Sequence, residues 1–168
     1  MDSDLKKTAL RMIPYGLYVM TTETEDGRVS AATVNWVTQA SFEPPLVVVG
    51  VKVDSAGHNL IQESGSFALN ILGKGQNGLA FAFFKPAERE GQTISGESFH
   101  AGEATGAPIL DNTPAYVECK LVDTVEKGDH SIFIAEVVGA GVSQTPEGRA
   151  DEATLWLLDL GEKIFYGG

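Results

Sequence analysis

Ser30-Ala31-Ala32-Thr33-Val34-Asn35-Trp36-Val37-Thr38 is followed by the turn Glu43-Pro44-Pro45 and by Leu46-Val47-Val48-Val49-Gly50-Val51-Lys52. Next come Asp54-Ser55-Ala56-Gly57-His58-Asn59-Leu60-Ile61 and Ser64-Gly65-Ser66-Phe67-Ala68-Leu69-Asn70-Ile71-Leu72. The β-branched runs predict strands over Val29 to Gln39 and Leu46 to Lys52, with Pro44-Pro45 fixing entry to the second. Ser55 predicts the N-cap of a short helix reaching about Glu63, and Gly65 its left-handed end, before a strand over Phe67 to Leu72. A strand of small and hydroxyl-bearing residues then faces a strand that runs into a Ser/Gly turn at a helix start. Such a corner makes a cradle for a flat ring with a phosphate tail.

Working outward, Leu5, Ala9, Leu10, Met12 and Ile13 recur at helical spacing until Pro14-Tyr15-Gly16 stops them. Leu17 to Thr22 predicts a strand, paired antiparallel with the Val29 strand through the Asp26-Gly27 hairpin signal. Downstream, Leu79 to Phe84 predicts a short helix broken before Pro86. The Gly-rich stretch from Ala87 to Thr113 predicts irregular surface. Tyr116 to Val125 and Ser131 to Val142 read as a hairpin, and Leu155 to Leu160 with Ile164 to Tyr166 as a last strand pair. Mostly antiparallel strands with few helices give an all-β barrel or sandwich, and one domain over 1–168.

Composition narrows the function. The chain has 168 residues, 43% of them hydrophobic, and no apolar run near the ~20 residues of a membrane span. The N-terminus lacks the basic-then-apolar order of a signal peptide, so a cytoplasmic location is the default. A net charge of -11 opposes nucleic acid and anionic membrane surfaces as partners. With Cys119 the lone cysteine, neither an internal disulfide nor a cysteine-based metal site is available, and redox chemistry must come from a bound cofactor.

Several motifs are set aside. Gly73-Lys74-Gly75-Gln76-Asn77-Gly78 matches GxGxxG, but a dinucleotide fold needs a parallel βαβ unit, and no second apolar strand follows in reach. Three scattered histidines offer no i, i+4 metal pair, and Gly65-Ser66 lacks a nucleophile elbow. No metal site is expected. Ser55-Ala56-Gly57-His58, with Lys52 upstream, is the better anion candidate, although local sequence alone favours a plain N-cap followed by a surface helix. Gly128-Asp129-His130 places an imidazole on a hairpin, where it is either structural or a hydrogen-bonding group at a site.

The order of these segments resembles the flavin reductase-like, FMN-binding split β-barrel family over about residues 8 to 142. The resemblance implies a six-stranded, Greek-key split barrel that forms a homodimer with FMN near its interface. It implies that Ala32, Thr33, Val34, Asn35 and Trp36 line the isoalloxazine, and that Lys52, Ser55, Gly57 and His58 hold the phosphate. The family's usual Ser-x-Thr is here Ser55-Ala56-Gly57, one hydroxyl short, and Asn35-Trp36 stands where smaller pairs are common. Phe84-Lys85 falls on a loop that the family places beside the flavin, with Phe81 and Phe83 equally readable as core. Gly128-Asp129-His130 recurs near the nicotinamide side, which makes His130 the substrate-side residue. The implied activity is NADH- or NADPH-dependent reduction of FMN, serving a monooxygenase or another redox protein. A flavoredoxin-like electron carrier and a non-catalytic FMN-binding module are the alternatives.

Overall fold

The computed structural model describes residues 1–168. Helix α1 (Ser3–Arg11) is capped by Asp2, whose carboxylate accepts from the N–H groups of Asp4 and Leu5. It buries none of its residues, so its apolar stripe is turned to solvent. Strands β1 (Tyr18–Glu23) and β2 (Val29–Val34) form the expected antiparallel pair. β3 (Val37–Ser41) and β4 (Leu46–Lys52) form the next. Helix α2 (Ala56–Ser64) starts at Ser55, whose Oγ accepts from His58 N–H, and ends at Gly65 with φ 72°. A positive φ at that end favours glycine. β5 (Ser66–Ile71) and α3 (Asn77–Ala82) follow.

The segment expected to be irregular instead folds into short strands: β6 (Arg89–Glu90), β7 (Thr93–Ile94), β8 (Glu97–Ala101) and β9 (Pro108–Leu110). They make a four-stranded antiparallel sheet. Its glycines sit in the turns, Gly91, Gly96 and Gly106 all at positive φ, so they punctuate strands rather than abolish them. The long hairpin β10 (Ala115–Glu126) and β11 (His130–Val142) appears as expected. The expected final strand pair does not form. Leu155 is drawn into the older strands, donating to Leu72 C=O at 2.7 Å and accepting from Leu17 N–H at 2.8 Å, and Leu157–Leu160 closes as a 3₁₀ turn.

The main sheet has seven strands, not six, in the order β2-β1-β5-β10-β11-β4-β3. The extra strand arises because the expected Val29 to Gln39 strand breaks at Asn35-Trp36, where Val37 N–H turns back to Asn35 C=O at 3.0 Å. The two ends of the sheet, β2 and β3, are thereby consecutive in the chain. With two residues between its edges the sheet must curl round, yet no ladder joins β2 to β3 and it is not a closed barrel. Met20, Val49, Ile61, Phe67, Leu69 and Phe133 cluster on one face of the curl. Leu17, Val19, Leu72, Phe83, Ile94 and Leu155 form a second core, with α3 and the smaller sheet on the other. Val19 and Met20 divide between the two cores as the period-2 alternation of a strand requires.

Candidate functional site

A cavity of about 630 Å³ opens where β2, the end of β4 and the start of α2 converge. Within it lie Ala32, Thr33, Val34 and Asn35 from β2 and the residue after it. Lys52, Ser55 and Gly57 occupy the polar end with His130 beside Lys52, and Phe84 and Lys85 also line the cavity. Two expected residues lie outside it. The His58 ring is buried under α2, where Nε2 meets Ser131 Oγ at 2.8 Å and the ring sits 5.1 Å from Phe133. Its Nδ1 is buried without a partner.

Trp36 turns to the other side of the sheet. It packs against Gly50, where an added Cβ would come within 3.0 Å of the indole. A second cavity of about 1040 Å³ lies there, bordered also by Leu10 and Ile13 of α1. The indole N–H is buried and has no acceptor.

Each part of the first cavity has a local cause. As an edge strand, β2 has N–H and C=O groups free, and Thr33 uses them to hold α3: its N–H donates to Phe83 C=O at 3.1 Å and its Oγ1 to Ala80 C=O at 2.7 Å. That pairing sets Phe83 in the core and leaves Phe84 half exposed at the rim, edge-on to Phe81 at 5.4 Å. Phe81 is itself 39% exposed and not a core residue. Gly57 permits a close approach of α2 to β2, since a Cβ there would meet Ser30 Oγ at 3.3 Å. The N–H groups of Ala56 and Gly57 find no acceptor in the chain and, with the helix dipole behind them, face an anion's place. Lys52, paired with exposed Asp54 at 3.2 Å, stands beside them.

His130 begins β11 directly opposite Lys52. Its Nδ1 lies 2.9 Å from Asp129 Oδ1 and its Nε2 2.7 Å from the hydroxyl of Tyr166. The hydrogen bond to His130 holds the Asp129 carboxyl below the usual range, so it is ionised at neutral pH. Burial raises the Tyr166 phenol. The Cys119 thiol, sealed in the core beside Glu118, is pushed up to about 12 and takes no part in chemistry here.

The C-terminal wall is what sequence reasoning missed. Ile164, Phe165 and Tyr166 line the cavity, held by Asn35 Nδ2 donating to Tyr166 C=O at 3.1 Å and by the Arg11 guanidinium 4.3 Å over Phe165. Their apolar character suggested a strand, but they form no ladder with the neighbouring edge of β2 and are held by side chains instead. The only signal was two exposed aromatics just before Gly167-Gly168. The Gly73–Gly78 loop serves the same end of the molecule, with Lys74 on Asp159 and Asn77 Nδ2 donating to Asp159 C=O at 2.7 Å.

Residues 10–162 match the model of the flavin reductase like domain. The chain belongs to that family. An NADH-dependent flavin reductase, StyB, of Pseudomonas fluorescens is 33% identical over 92% of this flavin reductase-like chain and 86% of its own. An NADH:FMN oxidoreductase of Rhodococcus qingshengii is 30% identical, covering 86% and 73%. The solved styrene monooxygenase flavin reductase of Pseudomonas putida S12 superposes with a TM-score of 0.70 at 31% identity, over 84% of this chain and 88% of that one. Nothing in this flavin reductase-like chain can cross a membrane as a helix: no helix is long and apolar enough.

Proposed function

We propose that this chain is a flavin reductase that takes a hydride from NADH or NADPH and passes it to FMN held in the 630 Å³ cavity. The observation that carries this reading is an apolar slot ending at two unpartnered N–H groups of α2 and bordered also by His130. The volume suits one organic ligand of this size, and the residues fit the parts of FMN in order. Bound FMN supplies the hydride acceptor, so the protein needs no nucleophile of its own. Ala32 to Asn35 position the ring. Ser55, Lys52 and the Ala56 and Gly57 N–H groups hold the phosphate, while Phe84 and Lys85 cover its edge. His130 orients the nicotinamide.

The curled sheet serves as a split barrel and residues 1–168 as one flavin-binding domain in the cytoplasm. Val122, Ile132 and Val142 on the β10–β11 hairpin are exposed apolar residues suited to a second copy, which supports a homodimer. Relatives named as reductases of NADH-dependent and monooxygenase systems support a monooxygenase as recipient of the reduced flavin.

The test is the visible spectrum after FMN loading and desalting, followed by anaerobic NADH and NADPH. Bleaching by a nicotinamide is expected. Bleaching only by a reduced redox protein would replace the enzyme with a flavoredoxin-like carrier, and failure to bind or turn over flavin would overturn both. For His130→Ala, FMN affinity should hold while the nicotinamide KM rises at least severalfold; unchanged kinetics would remove its assigned role.

A further inference from the structure

The two cavities share a thin partition made by Gly50, His130 and Tyr166, the residues that line both. Two of those three cannot easily move. Gly50 is mid-strand in β4, and His130 is paired in the β11 ladder. Tyr166 is different: it lies in neither helix nor strand, is 48% exposed, and its backbone is tied only by Asn35 Nδ2 on its carbonyl. The segment is tied further by the Arg11 contacts to Phe165 and to Gly167 C=O, the latter at 3.3 Å, by Ile164 N–H on Gly161 C=O at 3.1 Å, and by the Trp36 ring against Tyr166.

The proton positions at His130 follow from its partners. Ionised Asp129 can only accept, so Nδ1 of a neutral imidazole carries the hydrogen and Nε2 is the acceptor. The Tyr166 hydroxyl therefore donates to Nε2. In this arrangement the one ring atom of His130 that could engage a second ligand is already taken. A side chain only 14% exposed has little room to offer another.

We propose that Tyr166 is a positioning residue for the second substrate: a latch that occupies His130 Nε2 and must swing out before a nicotinamide can reach that imidazole. Its removal would join the two cavities into one cleft, with room for a dinucleotide beside a flavin that already fills the first. The Trp36 indole, packed against the Tyr166 ring in the latched form with ring centres 5.3 Å apart, is then uncovered to stack on the entering ring. This rests on the flavin reductase reading for the identity of the second substrate, but the latch itself is a property of the free protein. A substrate that binds only the unlatched form has its affinity lowered by the fraction unlatched, and losing one hydrogen bond raises that fraction about fivefold.

The experiment is Tyr166→Phe, which keeps the ring and removes the hydroxyl. Hydrogen exchange at the Ile164 N–H, which donates to Gly161 C=O at 3.1 Å, should speed up about fivefold in the full chain without ligand. Anaerobic titration with NADH should then show an apparent nicotinamide dissociation constant about fivefold lower, with FMN affinity and the saturating reduction rate unchanged. Slower or unchanged exchange would overturn the latch. Faster exchange with weaker nicotinamide binding would make Tyr166 a direct substrate contact and also overturn it. A wild-type protein that never binds or reduces flavin would sink the functional reading, while the exchange result would still decide the latch.

Discussion

The two walls of the main cavity are built on opposite principles. On one side, Ser30, Ala31 and Gly57 are buried, β2 is laddered to β1 over six residue pairs, and α2 is pinned by its Ser55 cap and by the His58–Ser131 bond beneath it. On the other, Ile164 to Tyr166 carry no ladder and are held by the Asn35, Arg11 and His130 side chains, with Ile164 resting on the second core. Buried and densely bonded segments open only with the whole fold, while sparsely bonded exposed ones open alone and often. The first wall can therefore keep a bound ligand in register through many cycles, and the second can admit and release another. A two-substrate enzyme needs both properties in one site, and here they are assigned to different stretches of chain.

The contrast can be broken most severely beneath the rigid wall. Phe133→Ala removes a fully buried ring at 5.1 Å from His58 and should cost about 3–5 kcal/mol, read from the urea midpoint; a loss under about 1 kcal/mol would mean the wall does not lean on this core. Gly57→Val pushes against Ser30 Oγ and should cost about 1–3 kcal/mol, with FMN affinity measured by fluorescence quenching falling about tenfold or more. Ser55→Ala should cost about 1 kcal/mol through the lost cap and weaken FMN binding by a comparable factor. Unchanged FMN affinity in that variant would move the phosphate elsewhere.

Perturbing the loose wall should be gentler and local. Phe165→Ala forfeits about 0.5 kcal/mol of contact with Arg11, leaving the urea midpoint in place while exchange at the Ile164 N–H quickens. Acid should act in the same place. Bonds from Lys74 and from Trp156 N–H hold the Asp159 carboxyl below its ordinary value. Its contribution is thus present above the ordinary aspartate pKa of about 4 and is lost as pH falls through the lowered folded value. Exchange at residues 156–160 should rise below about pH 4 before the β10–β11 strands loosen, and a simultaneous rise would show one cooperative unit.

Legibility in the sequence followed the same division. β4 and α2 were readable almost to the residue because their signals are local: a β-branched run after Pro44-Pro45, a serine cap, a left-handed glycine. Ala32 to Asn35, Lys52, Ser55 and Gly57 gather as expected because a regular strand and helix carry them there. His58 and Trp36 were misplaced for one reason, that which face of an element a side chain takes depends on its partners across the fold. Ser131 draws His58 inward, and only Gly50 leaves room for the Trp36 indole on the far side of the sheet. The small sheet of β6 to β9 and the Tyr166 wall lack local signal, their strands being too short or their backbone unpaired.

The joint at Asn35-Trp36 also bears on how the molecule assembles. The strands it links are neighbours in sequence yet stand at opposite ends of the hydrogen-bonded order, with β1, β5, β10, β11 and β4 between them. Neither hairpin flanking the joint can take its final place until strands from far along the chain have arrived. Pairings of such long sequence separation make folding slow, in the range of milliseconds to seconds rather than microseconds. The cavity, whose walls come from Ser30 and from Tyr166, is among the last parts of the molecule to exist.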